Sequence, residues 1–429
     1  MVVIVSRLRD LGDRPPHNEA MTTAREKTVG DGAFVFWLSF AQLISWGSVF
    51  YGFSVFLEPT EQALGIGRAE SSLGFSLALL AEGLLAYPMG RWIDRGHERA
   101  VMTLGSLWTG LSLLALSQVQ NLWQFWGAWL MLGVGLSATL YPPAFAVLTR
   151  RFPSDFRRAI ISLTFLGGLA STVFIPLMAA LIDWLDWRHA LWVLAGFHVL
   201  VCAPLHAHIL RGAPKQALLP PDHAQTGHDA SLEHHLRQPT FWLIGVFVVL
   251  LLGVTAALPA HMIALLRESG LSERWVIIAP AGIGAMQVVG RMTLYVLEKR
   301  LNPHWTNRWM PCLIPLGLLF LMLGAGQVWA ALCFVLLYGV GNGLLTIVKG
   351  TAIAQYVSQT HTASLNGALG LPLALARAGA PFLLGLLWSP EGGYALGLWI
   401  MWGTCLVGIA ALWAAQARAL HGRHTRVQA

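Results

Sequence analysis

The chain has 429 residues, of which 55% are hydrophobic and only 11% charged, with 28 Lys and Arg against 21 Asp and Glu and a formal net charge of +7. A water-facing surface would carry roughly 25% charged residues, so a soluble enzyme or a string of soluble domains is excluded. The net charge alone would suit a nucleic-acid partner, but its distribution along the chain argues against one.

Residues 1–30 are polar apart from MVVIV, which is too short for the core of a signal peptide. They read as a cytosolic tail, with Met21 as an alternative start, because AREKTVGDG leads directly into the first apolar run. A helix needs about 20 apolar residues to span a bilayer. Twelve stretches qualify, near 33–57, 70–90, 100–117, 122–148, 159–182, 190–210, 239–265, 275–297, 308–326, 329–354, 365–388 and 394–416. The polar, Pro- and His-rich stretch 211–238 divides them six and six. The expected fold is therefore an all-α integral membrane protein of two six-helix bundles, 31–210 and 239–417, with a cytosolic linker at 211–238 and a cytosolic tail at 418–429. Cys202, Cys312, Cys333 and Cys405 all fall in apolar stretches, form no C-x-x-C pair, and read as small core residues.

Orientation follows from the basic residues. With the N-terminus inside, 21 of the 28 Lys and Arg fall in cytosolic segments, four in external loops and three within spans. The positive-inside rule then places both termini in the cytosol of a cell with this protein in its inner membrane. The excess positive charge is topogenic, which removes nucleic acid as a partner. A weak internal repeat relates the halves. LGVGLSATLY (132–141) echoes YGVGNGLLTI (338–347), and GRWIDR (90–95) aligns with LYVLEK (294–299), at offsets that nearly agree. Duplicated halves with a solute site between them are a transporter architecture.

The sharpest motif is Gly90-Arg91-Trp92-Ile93-Asp94-Arg95-Gly96-His97-Glu98-Arg99, between spans 2 and 3. It resembles the G-x-x-x-D-R-x-G-R-[RK] loop of the major facilitator superfamily, with His97 and Glu98 departing from the pattern. The resemblance implies twelve helices, alternating access, and a gating role for Gly90, Asp94 and Arg95, with the Asp94 carboxylate set against the positive N-terminus of helix 11. The second-half copy is eroded to Glu298-Lys299-Arg300. Asp31-Gly32, YGFSVFL (51–57), Tyr141-Pro142-Pro143, Phe152-Pro153, Arg157-Arg158 and Trp187-Arg188 resemble the monocarboxylate-transporter branch. Tyr51 stands where that branch often has a basic residue. The glycine-proline motif of proton-coupled drug exporters is missing from span 5, FLGGLASTVFIPL.

Charges within a membrane cost roughly 2.5–3.5 kcal/mol on insertion scales and normally face a cavity or a partner. Here they are Glu82, Arg291, Lys349 and Arg377. Three cations to one anion suit a pocket for an anionic small molecule. The resemblance assigns the substrate carboxylate to Arg291, whose guanidinium stays charged and can grip it bidentately; the alternative is that Arg291 snorkels to the interface. Gln287 stands one turn earlier, where the family often has an acid. Tyr141 resembles a pocket tyrosine of the family. Lys349 either lines the pocket or snorkels, and Asn342 either lines it or belongs to helix packing beside Gly341 and Gly343. Arg377, midway along span 11, is expected to pair with Glu82 of span 2, as a structural pair or a coupling element. His261 either relays protons or rests at the interface.

No cofactor or metal is implied. His206, His208, His223, His228, His234 and His235 are irregularly spaced and read as solvated linker rather than ligands; GVGLSA and GVGNG lie inside apolar helices and are not phosphate loops. The expectation is a monomeric secondary transporter of a small organic anion, in particular a monocarboxylate, working with protons or by exchange. The alternatives are an exporter of amphipathic or toxic compounds on the same fold, and a non-transporting membrane sensor or partner-binding protein.

Overall fold

The computed structural model describes residues 31–152, 156–212, 232–297, 300, 302–358 and 362–428. The tail 1–30, Met21, His223, His228, Glu298 and Lys299 therefore lie outside the described residues, as does most of the 211–238 linker. Among the described residues the secondary structure is helical apart from one isolated bridge, Ser389 to Gly393. Ten helices are long and apolar enough to cross a membrane.

They are numbered here in chain order. Helix α1 is Asp31–Leu64, interrupted by a π-helical segment at Trp46–Tyr51. The next, Arg68–Ser117, is 50 residues long, twice what a bilayer needs. It breaks within Ile93–His97, where Gly96 takes φ +86°, a conformation open to glycine because it lacks a Cβ. The two parts are α2 (Arg68–Trp92) and α3 (Glu98–Ser117). Then follow α4 (Leu122–Arg151), α5 (Arg158–Leu185), α6 (Trp187–Ile209), α7 (Pro239–Glu268), α8 (Glu273–Leu297), α9 (His304–Leu323) and α10 (Val328–Tyr356). Helix α11 (Gly370–Leu386) is apolar but shorter, and α12 (Ala395–Gln428) runs on past 417, where the hydropathy pattern ends. Leu232–Arg237, read as linker, forms a short helix.

Local chemistry sets the ends. Asp186 caps α6, its side chain accepting from the backbone of Arg188 at 2.7 Å and His189 at 3.1 Å. These bonds, with the His189 ring as the largest contribution, hold the Asp186 carboxyl below its usual range. Asn121 caps α4 through Gln124 N at 3.0 Å.

The halves meet along three helix pairs. Helix α2 packs on α11, α5 on α8, and α1 on α7. The α5–α8 crossing is tight because neither side carries bulk. A Cβ at Gly284 would lie 2.5 Å from Ser171 Oγ and 2.6 Å from the Gly168 carbonyl, and Thr172 Oγ1 donates across the same seam to the Ala281 carbonyl at 2.6 Å. Small residues that let backbones touch replace the hydrophobic driving force that lipid cannot supply between helices.

Candidate functional site

The polar groups buried between the halves form one connected centre. Arg291 on α8 is 8% exposed, and its Nη1 donates to the Thr164 carbonyl of α5 at 2.7 Å. Gln287 Oε1 lies 3.5 Å from its Nη2, one turn away as the spacing requires. Tyr141, in α4, lies against Arg291. Tyr51 lies against Gln287, Arg291 and Ser171. The π-helical turn at Trp46–Tyr51 adds a residue to the local repeat and brings Trp46, Phe50 and Tyr51 to this region. Trp46 packs on Tyr141 with ring centroids 4.8 Å apart.

Arg377 Nη1 donates to Glu82 Oε1 at 2.8 Å, joining α11 to α2. The Arg377 guanidinium also lies 5.7 Å from the Trp46 and Phe50 rings. Lys349, half-buried on α10, lies within electrostatic range of Arg377 and Arg291. The centre thus holds three cations and one carboxylate. Several of its polar atoms have no hydrogen-bond partner among the described residues: Arg291 Nε, Arg377 Nη2, Trp46 Nε1 and Glu82 Oε2. Buried polar groups are normally satisfied, so a site with spare N–H donors is chemically suited to an acceptor-rich ligand.

Other predicted residues fall elsewhere. Asn342 makes no side-chain hydrogen bond among the described residues, while Gly343 beside it packs against the backbone of Gln287. Gly90 has open space around its α-carbon, and the positive φ of the turn falls on Gly96 instead. Asp94 and Arg95 are exposed and make no hydrogen bond or ion pair among the described residues. His206, weighed with the linker histidines, is fully buried with Nδ1 2.9 Å from Ser106 Oγ. No group of three or more His, Cys, Asp or Glu that could hold a metal ion is present among the described residues.

His261 belongs to a second cluster, at the end of the bundle bearing the α1–α2, α7–α8 and α11–α12 turns. Arg68, 8% exposed, is its hub. Arg68 Nε donates to Glu61 at 2.9 Å, and its Nη1 donates to Glu268 of the other half at 3.2 Å and to the Tyr394 hydroxyl. Its guanidinium lies 5.0 Å from the Trp388 ring. Arg267 pairs with Glu58 across the halves in the opposite sense. His261 Nε2 faces the Pro381 carbonyl at 2.9 Å, which puts the proton on Nε2 and leaves Nδ1 to accept from Tyr394, also at 2.9 Å. Burial raises the Tyr394 phenol above its usual range, so it remains a neutral donor.

Arg68 and Arg267 entered the sequence analysis only as two of the four external basic residues. A signal was available. The α1–α2 and α7–α8 turns each place Arg and Glu close together in the sequence.

The profile of the Major Facilitator Superfamily matches residues 35–381. That covers most of the chain, and the protein belongs to this superfamily of membrane transporters. Within it, the chain is 29% identical over 191 residues to a multidrug resistance protein, MdtL, of Klebsiella pneumoniae subsp. pneumoniae. That alignment covers 42% of this chain and 47% of the relative, so the chain spans about half the length of the curated relative it matches. The fold is similar to that of a bacterial homologue of the human lysosomal transporter Spinster in its inward-facing, occupied conformation. There the TM-score is 0.69 at 16% identity, over 91% of this chain and 97% of that one. The nucleoside transporter NupG is similar at TM-score 0.65 and 14% identity, over 89% of this chain and 98% of that one.

Proposed function

We propose that the protein is a secondary transporter that moves a small organic anion, in the first instance a monocarboxylate, across the inner membrane by alternating access. The observation that carries this reading is the central excess of cations: Arg291, Lys349 and Arg377 against Glu82, with N–H groups of Arg291, Arg377 and Trp46 unpaired among the described residues. A carboxylate would satisfy those donors and offset the charge. Arg291 would bind it, with Tyr51, Tyr141, Gln287 and Lys349 around it and Asn342 at the margin. Glu82, Arg377 and His261 would couple transport to protons or exchange. Gly90, Asp94 and Arg95 would gate one end, and the Arg68 cluster would close the other.

Counting α2 and α3 separately and taking α11 as a crossing supports twelve helices in two related bundles, 31–210 and 239–417, joined by the 211–238 linker. An even number of crossings, with the Lys and Arg bias, supports two cytosolic termini, and the monomer is taken as the working unit.

Uptake of a panel of radiolabelled carboxylates into proteoliposomes under an imposed pH gradient tests the reading. Wild-type protein is expected to accumulate at least one acid, and Arg291→Ala to lose it. Normal transport of every tested acid by Arg291→Ala refutes the assignment.

A second reading, export of amphipathic compounds, is favoured by the aromatic wall of Trp46, Phe50 and Tyr141 and by the likeness to the Klebsiella multidrug resistance protein. It predicts extrusion of an apolar cation or neutral dye that Arg291→Ala leaves unchanged.

A further inference from the structure

A groove of about 520 Å³ lies between α2, α3 and α4, outside the central site. Met89, Trp92, Val101, Leu104, Trp108 and Val134 form its apolar wall. Leu104 is 64% exposed, and Trp92 and Trp108 are also exposed, so the groove opens sideways from the bundle. In a membrane that direction is lipid. At one end the wall changes character: Arg95 and His97, both exposed, form the rim. Neither makes a hydrogen bond or ion pair among the described residues, and the Gly96 turn sets them on either side of the break between α2 and α3.

We propose that this groove binds an anionic phospholipid, one acyl chain lying along the apolar wall and the phosphate held by Arg95 and His97. The charge around the rim supports an anion. Residues 90–99 carry Arg91, Arg95, Arg99 and His97 against Asp94 and Glu98. Glu98 is already neutralised by Arg150 at 3.0 Å, which leaves Asp94 as the one acid of this stretch without a cation among the described residues. Basic recesses between membrane helices, at headgroup depth, select anionic headgroups, and Trp92, beside the rim, is an amphipathic ring that favours that depth.

A second groove supplies an internal contrast. It measures about 280 Å³ between α7, α11 and α12, lined by residues such as Leu250, Leu375, Leu383 and Ile400, with no charged residue among them. It has room for a chain but nothing to choose a headgroup. The proposal concerns the outer face of the bundle and holds whichever solute the centre carries.

Native mass spectrometry of the detergent-purified full chain provides the test, with phosphatidylglycerol, phosphatidylcholine of the same acyl chains, and inorganic phosphate as the three probes. Wild-type protein is expected to retain phosphatidylglycerol over phosphatidylcholine. Arg95→Gln combined with His97→Gln is expected to cut phosphatidylglycerol retention about tenfold or more and leave phosphatidylcholine unchanged. Ala100→Trp, at an exposed position on the groove wall, is expected to expel the lipid while keeping Arg95 and His97. This variant keeps the proposal open to refutation if the double variant fails to fold. Equal retention of the two lipids by wild-type protein overturns the proposal, as does phosphatidylglycerol retention that neither variant lowers. Displacement of the lipid by millimolar phosphate alone would overturn it too, by making the rim a site for free anion.

Discussion

Replacing Arg68 with Gln should loosen the end of the bundle where it ties the two halves together. Arg68 donates to Glu268 at 3.2 Å and to Tyr394 across the halves, and it keeps Glu61 beside Glu268 without repulsion. A hydrogen bond to a charged group contributes ~1.5–3 kcal/mol when buried. Glu268 is 30% exposed, so solvent screening reduces its share. The cross-half loss is then about 2–4 kcal/mol, a shift of roughly 30- to 1,000-fold between closed and open populations. The remaining cross-half ion pair at this end, Arg267 with Glu58, cannot compensate, because removing Arg68 leaves Glu61 and Glu268 facing each other without the cation that sits between them. Spin labels at the exposed positions Gln62 and Glu391, on a background with the four cysteines replaced, report the separation by double electron–electron resonance. Wild-type protein should give a dominant short distance, and Arg68→Gln a longer one. An unchanged distribution would refute the claim that this cluster closes the end. Because the hub is largely buried, raising salt to about 1 M should shift the wild-type distribution far less than the substitution does.

The Glu82–Arg377 pair makes a sharper demand on stability. Glu82→Gln leaves a buried cation uncompensated and should cost about 3 kcal/mol in thermal unfolding, whereas a Glu82→Leu, Arg377→Met double variant should recover most of the loss. Gly284→Ala forces its Cβ against the Gly168 carbonyl at 2.6 Å, a backbone atom that cannot rotate away. It should separate α5 from α8, lower the melting temperature by several degrees, and weaken any ligand held through Arg291, whose bond to Thr164 spans that seam. Asp186 gives a pH dependence with a defined sign. Its folded carboxyl is held below the ordinary range, so its capping contribution is present above the unfolded value, about 3.9, and is lost as pH falls through the lowered folded value. Asp186→Ala should flatten that acid limb in a melting-temperature profile; an identical limb would remove the cap as its cause.

Much of the architecture is legible residue by residue. Apolar length, polar breaks and the bias of Lys and Arg are properties of short segments transferred between water and lipid, so they appear without knowledge of neighbours. The intramembrane charges stand out for the same reason: each is costly alone, and Glu82, Arg291, Lys349 and Arg377 are conspicuous against an apolar background. The Glu82–Arg377 contact needs more, since it joins positions 295 residues apart. It depends on how far each helix is rotated about its axis and how high it stands against its partner. Those two quantities are set by close contacts such as Gly284 on Ser171, and no local pattern records them.

The Arg68 cluster shows the same division. Hydropathy locates the turns, and charge counting assigns them a side, but counting treats Arg68 and Arg267 as interchangeable markers. Only the folded chain brings them to Glu268 and Glu58 of the opposite half, and only there does a loop charge become a contact between halves. The sequence by itself determined the membrane class and the unusual cations; the tertiary structure decided which of them meet. The physical reason is range. Transfer between water and lipid acts on each segment separately, whereas ion pairing falls off within a few ångströms and exists only after packing has set the register of every helix.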